Sequence, residues 1–358
     1  MDTIDIIRHF ALDGKAVEVK PLGDGFINDT FVVKTDGPHK YILQRKNKFV
    51  FPDVPAMMDN IVAVTTHIKK KVQDPLRETL TVVPTTDGKY YFQTPDGEYW
   101  AVCLFIEDTV TNDVASTPDM ARQGGLGIGH FQALLADFDK PLAEVIKGFH
   151  NIRWRFVQWD EALKANKAGR IDGLSEEIAF IEGRRKEMLD FWKLVEDGVL
   201  PMRVTHNDTK LSNFLFDKAT GKVLCAIDLD TVMSSTSLND VGDAIRSYAN
   251  NTVEDDPDYS KVWIRLDMYE AYMDGYLSER KATLSESEKE WMAFAPLYIT
   301  YEQVLRFLMD YIDGDVYYKI KYPEHNLVRT RSQMALLRSM EDNYPEMRKI
   351  VAELLAKA

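Results

Sequence analysis

The chain has 358 residues, 45% apolar and 11% aromatic. At about 150 residues per domain this reads as two lobes with a sizeable core, which excludes a disordered or low-complexity protein. Lys and Arg number 44 against 57 Asp and Glu, a net charge of −13, which argues against non-specific binding to nucleic acid or to an anionic membrane.

Short β-type runs come first, over 16–21, 29–34, 40–44, 81–84, 89–93 and 98–106, separated by turn signals such as Thr86-Asp87-Gly88 and Pro95-Asp96-Gly97. One helix interrupts them over 55–72, with Pro55 suited to its first turn. Helical periodicity takes over beyond residue 107, over 118–137, 160–166, 175–197, 240–248, 266–278, 285–309 and 330–358. A β island breaks it, over 213–217 and 222–228 around a Lys218-Ala219-Thr220-Gly221 turn. The expected fold is α+β, with a β-rich lobe over 1–106 carrying one main helix and a larger, mostly helical lobe over 107–358.

No apolar run approaches the ~18 residues of a membrane span. The acidic start, Met1 to Asp5, shows no signal peptide. Cys103 and Cys225 form neither a disulfide framework nor a zinc motif, so a reducing cytoplasm is the expected compartment.

Within the helical part, His206-Asn207-Asp208-Thr209-Lys210-Leu211-Ser212-Asn213 fits H-x-D-x-x-x-x-N, the catalytic loop of kinase-like phosphotransferases. An attacking hydroxyl must give up a proton, so Asp208 is the candidate base. Asn213 offers a carbonyl oxygen to a metal. Lys210 can meet the charge on a transferred phosphoryl group, and His206 can brace the loop. Twenty residues after Asp208, the apolar run Ala226-Ile227 ends in Asp228. A hairpin would bring Asn213 and Asp228 to one edge, where both oxygens suit Mg2+. Asp230 can add a ligand or cap the next turn.

Upstream, Leu22 to Phe31 contains Gly23-Asp24-Gly25 between two strands. Glycines let a turn lie close over phosphates with its N–H groups facing them. Asp24, Asn28 and Thr30 belong to the same stretch.

In order and spacing these motifs resemble the aminoglycoside-phosphotransferase/choline-kinase-like superfamily, small-molecule kinases with a bilobal protein-kinase-like fold. The stretches Gly23 to Asn28, Tyr41-Ile42-Leu43-Gln44, Val204 to Asn213, Ile227 to Asp230 and Lys321 to Arg331, the last with its Tyr322-Pro323-Glu324-His325-Asn326-Leu327 block, are similar to the N-acetylhexosamine 1-kinase family. The resemblance runs nearly end to end and is most specific in the last of these blocks. It implies transfer from Mg-ATP to the anomeric hydroxyl of N-acetylglucosamine or N-acetylgalactosamine, with Asp208 as base and Asn213 and Asp228 as metal ligands. The expected partners are the small-molecule sugar and the nucleotide, with the protein a monomer. Arg306 and Tyr317 fall where that family holds the sugar or its phosphate. The adenine is expected against the backbone at Leu104 and Ile106.

The chain departs from the protein-kinase pattern in two places. Gln44 follows Tyr41-Ile42-Leu43 where protein kinases place a Lys, and the 55–72 helix offers Asp59 but no Glu. Gln44, Arg45 or Lys46 must then meet the phosphates, and only Gln44 and Lys46 share a strand face. Phe26 stands where a more polar, sugar-contacting residue is expected.

Several features read as structural. Gly124 to Gly129 lacks a Walker ending and suits close helix packing. Asp310, Asp313 and Asp315 lack EF-hand spacing, so they read as a helix end with Asp310 as a polar rim to the substrate site. Asp240 and Asp243 read as helix caps, one of them also able to hold the catalytic loop from beneath. Trp263 and Trp291 read as core. The rival functions are a kinase of another small alcohol (choline, ethanolamine, homoserine or an aminoglycoside) and a catalytically silent binding module.

Overall fold

The computed structural model describes residues 1–23 and 27–357. Asp24, Gly25 and Phe26, read above as part of the phosphate turn and sugar contact, lie outside the described residues. The chain packs as two compact units. The first comprises 1–111, 134–147 and 213–234; the second comprises 112–133, 148–212 and 235–358.

The first unit opens with a short helix, α1 (Thr3–Ile7), capped by the Asp2 carboxylate. An antiparallel sheet follows, built on β1 (Ala16–Pro21), β2 (Asp29–Thr35) and β3 (Lys40–Lys46). After α2 (Val54–Lys69) come the two-residue strands β4 (Val82–Val83) and β5 (Phe92–Gln93), then β6 (Tyr99–Leu104), which pairs with β3. Alternation sets one apolar face: Val33, Tyr41, Leu43 and Val102 are buried together with Ile6, Ile7 and Phe10 of the N-terminal segment. The turn-rich sequence around β4 and β5 explains why those runs are shorter than their apolar pattern predicts. A second, three-stranded sheet joins β7 (Thr109–Val110) to the hairpin β8 (Phe214–Asp217) and β9 (Val223–Ala226). In α2, Asn60 donates to the carbonyls of Ala143 and Val232 at 2.9 and 3.0 Å, tying the helix to the segment that follows the hairpin.

The second unit is built around α9 (Ala295–Asp313), buried on nearly all sides. Around it lie α3 (Pro118–Leu134, all but its last residue in this unit), α4 (Ile152–Ala165), α5 (Ser175–Glu196), α6 (Ser237–Tyr248), α7 (Leu266–Arg280), α8 (Glu286–Trp291) and α10 (His325–Ala356). Glycines set two close crossings. A Cβ at Gly242 of α6 would meet the Ala295 carbonyl at 2.4 Å, and one at Gly125 of α3 would meet the Tyr272 carbonyl at 2.1 Å. The glycine run therefore serves helix packing, as its sequence suggests.

Some boundaries differ from the sequence reading. The 285–309 run is two helices separated by a turn at Met292–Phe294, with Pro296 in the first turn of α9. Helix α4 starts at Ile152, capped by Asn151, and α10 starts at His325, two residues after Pro323. Trp263 is 43% exposed, so it is not a core residue. Trp291 does pack, 5.7 Å from the rings of Phe191 and Phe294. Among the described residues no helix is long and apolar enough to cross a membrane.

Candidate active site

In the first unit, Asn213 closes a short turn after which β8 begins, and its carbonyl accepts the N–H of Ile227 at 2.8 Å. The hairpin thereby sets Asn213 beside the residue preceding Asp228, as the spacing predicts. Asp228 adopts a left-handed backbone, φ +55°, at the start of a short turn that its side chain does not cap; its side chain is exposed. Among the described residues no three His, Cys, Asp or Glu side chains cluster so as to hold a metal alone. A carboxylate and an amide oxygen instead suit a hard cation that brings waters and phosphate oxygens as its other ligands, which is how Mg2+ is commonly held.

Asp230, read as a third ligand, has a different occupation. Its Oδ1 accepts from Lys46 Nζ at 2.7 Å, and its Oδ2 accepts from Lys46 at 3.0 Å and from Asn28 Nδ2 at 2.7 Å. Burial disfavours the Lys46 ammonium, but the Asp230 carboxylate outweighs it and raises the Lys46 pKa. Lys46 also donates to Gln44 Oε1 at 2.7 Å, and Gln44 Nε2 donates to Thr30 Oγ1 at 3.3 Å. Arg45, on the opposite strand face, pairs with Asp29. Of the three phosphate-contact candidates, Lys46 is thus the buried cation. Asn28 is buried too, and its Oδ1 accepts the Asn47 N–H at 3.0 Å. Gly23 takes φ +65°, a conformation that favours glycine. At the end of β6 the Leu104 N–H donates to the Thr81 carbonyl at 2.8 Å, and the Ile106 carbonyl accepts the Thr109 hydroxyl at 2.8 Å.

In the second unit, the loop carrying Asp208 is held by α6. The N–H groups of His206 and Asn207 donate to the two oxygens of Asp240 at 3.0 and 2.8 Å. Asp243 accepts the Thr209 N–H at 2.8 Å, and the Tyr248 hydroxyl donates to the Thr209 carbonyl at 2.7 Å. Neither aspartate caps α6; Thr236 does, by accepting the Leu238 N–H. The helix starts earlier than its sequence suggests, which puts both carboxylates inside it and turned to the loop. Burial raises the Asp240 pKa against the opposing pull of His206 and the N–H donors. His206 Nδ1 accepts the Asp208 N–H at 3.3 Å. Lys210 Nζ lies 3.0 Å from Asp208 Oδ1.

Arg306 projects from α9 and is buried. Its guanidinium carbon is 5.2 Å from the Phe149 ring centre and 5.6 Å from those of Tyr317 and Tyr318. Among the described residues its one hydrogen bond is a long 3.5 Å contact to Gln303, and no carboxylate pairs with it. Burial acts to lower its pKa, but the nearby Tyr318, Tyr317 and Glu302 outweigh that, so it stays protonated. Asp310 does not form an open polar rim. Its carboxylate accepts the N–H groups of Val316, Tyr317 and Tyr318 at 2.9, 2.8 and 3.0 Å and the Asn326 amide at 2.8 Å. It anchors the turn that carries Tyr317, itself 56% exposed.

Sequence reasoning missed the residues that fasten this turn from its far end. His325 is buried, accepts the Lys321 N–H through Nδ1 at 3.2 Å, and holds Asp255 through Nε2 at 2.8 Å. The Tyr-Pro-Glu-His-Asn block marked this region, but its partner Asp255 lies 70 residues earlier in the chain.

The fold is protein-kinase-like: an N-terminal lobe with an antiparallel sheet, then a helical C-terminal lobe. A microcompartment-associated aminopropanol kinase shares it at a TM-score of 0.64 and 16% identity, with 96% of this chain and 97% of that chain covered. An aminoglycoside phosphotransferase from Alicyclobacillus acidocaldarius matches at 0.63 and 13% identity, covering 99% and 97%. An amicoumacin kinase in complex with AMP-PNP and Ca2+ matches at 0.60 and 14%, covering 94% and 93%. The chain belongs to the phosphotransferase enzyme family (APH), whose sequence pattern matches residues 18–278.

Proposed function

We propose that the chain is an ATP-dependent kinase that phosphorylates the anomeric hydroxyl of N-acetylhexosamines. In this reading Asp208 accepts the proton of the attacking hydroxyl and Lys210 turns from Asp208 toward the transferred phosphoryl group. Asn213 and Asp228 hold Mg2+, which when bound neutralises charge on the phosphate oxygens. Lys46, kept charged by Asp230, meets the α- and β-phosphates, with Gln44 and Thr30 beside it. Gly23 covers the nucleotide, Asn28 sets Asp230, and the backbone at Leu104 and Ile106 receives the adenine. Arg306 and Tyr317 hold the acceptor, and Asp310 sets Tyr317.

The observation that carries the sugar reading is Arg306. A buried, permanently charged guanidinium that no carboxylate among the described residues pairs with favours an acceptor rich in hydroxyl and amide oxygens or one whose product is anionic. It disfavours a quaternary ammonium. A kinase of a small amino alcohol is the second reading, favoured by the fold shared with the aminopropanol kinase.

A coupled ADP-release screen over N-acetylglucosamine, N-acetylgalactosamine, glucose, choline, aminopropanol, homoserine and an aminoglycoside tests the proposal. Turnover confined to the N-acetylhexosamines supports it. Turnover on an amino alcohol with none on a sugar establishes the second reading instead. ATP binding without any turnover points to a silent module.

A further inference from the structure

Asp240 receives the N–H groups of His206 and Asn207, so whatever fixes that carboxylate fixes the loop bearing Asp208. A buried side-chain amide on α3 is its remaining partner. Gln132 Nε2 donates to Asp240 Oδ2 at 2.8 Å and reaches the Ser237 carbonyl at 3.3 Å. Its Oε1 accepts from the Tyr276 hydroxyl at 2.7 Å and from Arg280 Nε at 3.3 Å. Two donors on the oxygen side leave the amide one orientation, with its NH2 toward Asp240.

The glycine run makes this contact reachable. A Cβ at Gly129 would lie 2.8 Å from the Tyr276 carbonyl, and one at Gly275, on the facing helix, 2.1 Å from the Arg122 carbonyl. Helices α3 and α7 therefore meet backbone to backbone, and Tyr276 and Arg280 of α7 reach Gln132 of α3. The loop needs such support. Asn207 sits at φ +65°, a backbone state that persists where its surroundings over-determine it.

We propose that Gln132 is a positioning residue for phosphoryl transfer: its amide holds Asp240, which holds the His206–Asn207 backbone and so sets where the Asp208 carboxylate points. The inference rests on Asp208 being the base. It extends the catalytic apparatus to a helix that touches neither substrate nor nucleotide in this account.

Gln132→Met keeps length and approximate volume and removes both hydrogen-bonding ends. The expected outcome is a kcat per folded molecule lowered roughly tenfold, with KM for ATP and for the acceptor within about twofold of wild type. Hydrogen exchange at the peptide spanning residues 203–211 should quicken, while that of α9 stays as it was. Unchanged kcat and unchanged exchange in that peptide overturn the proposal, as does a fall in kcat matched by an equal loss of folded protein.

Should Gln132→Met not accumulate, Tyr276→Phe removes one donor that orients the amide and keeps the ring. A smaller fall in kcat with the same faster exchange is expected, and wild-type values of both overturn the proposal. The exchange measurement needs no substrate. A wild-type protein inactive on every acceptor would sink the kinase reading, while the exchange arm still decides whether Gln132 sets the loop.

Discussion

Lys46 Nζ lies 2.7 Å from Asp230 Oδ1, with the two side chains 4% and 5% exposed. Nothing in the run Tyr41 to Lys46 marks which of its last three polar residues is buried; the strand face decides it, and the partner arrives from beyond the β8–β9 hairpin. The charge that protein kinases balance with a helix Glu is balanced here by the second Asp of Ile227-Asp228-Leu229-Asp230. The two aspartates then divide the work: Asp228 is exposed at the turn, and Asp230 is committed to Lys46 and Asn28.

The pair predicts a pattern in stability. Asp230→Ala leaves an uncompensated buried ammonium and should cost about 3–5 kcal/mol in urea unfolding. Lys46→Met combined with Asp230→Leu removes both charges and should recover most of that loss, while weakening ATP binding. A double variant no more stable than Asp230→Ala contradicts the pairing.

Asp208→Asn keeps shape and removes the proton acceptor. Turnover should fall by roughly two orders of magnitude or more, with ATP affinity retained. Near-wild-type turnover takes Asp208 out of the base role.

Asp310→Ala frees three backbone N–H groups of the turn that carries Tyr317. Its effect should fall on the acceptor: KM for the sugar should rise roughly tenfold while KM for ATP stays within about twofold. Equal rises in both, or neither, would mean that the turn does not face the acceptor.

The sequence suggested more of the proposed chemistry than of what holds it in place. The proposed roles of His206, Asp208, Asn213 and Asp228 come from local spacing on one loop and one hairpin. The sheet was legible in all its strands, closely in bounds for β1, β2, β3 and β6, whereas β4 and β5 fall inside the runs 81–84 and 89–93 but keep only two residues each. Of the supports, only the hold of an α6 aspartate on the loop was legible, as Asp240 shows. Asp230 to Lys46, Gln132 to Asp240 and His325 to Asp255 all span long stretches of chain, and no local period encodes such contacts. Asp310 was placed near the substrate wall, but only the turn geometry shows its carboxylate filled by N–H donors.

The Asp255–His325 contact predicts a pH dependence. Burial tends to raise the Asp255 pKa, but hydrogen bonds from His325 and Lys321 outweigh it and hold the carboxyl down at about 2. A depressed carboxylate contributes stability above its unfolded value of about 3.9, and that contribution fades as pH falls through the folded value. Asp255→Asn should therefore melt lower than wild type at neutral pH, with the gap closing between about pH 4 and pH 2. A gap that persists unchanged at the acid end contradicts the assignment.

The central claim is transfer of a phosphoryl group to the anomeric oxygen of an N-acetylhexosamine, and the product of N-acetylglucosamine, Mg2+ and ATP tests it most directly. Proton NMR of that product should show the anomeric signal split by phosphorus, with the reducing end lost and the phosphate labile to acid. Glucose should react far more slowly, because groups built to pair with the acetamido side chain would be left unpaired, at about 1–3 kcal/mol each. A product that still reduces and carries phosphorus coupling at the 6-position, or equal rates on glucose and N-acetylglucosamine, would contradict the account.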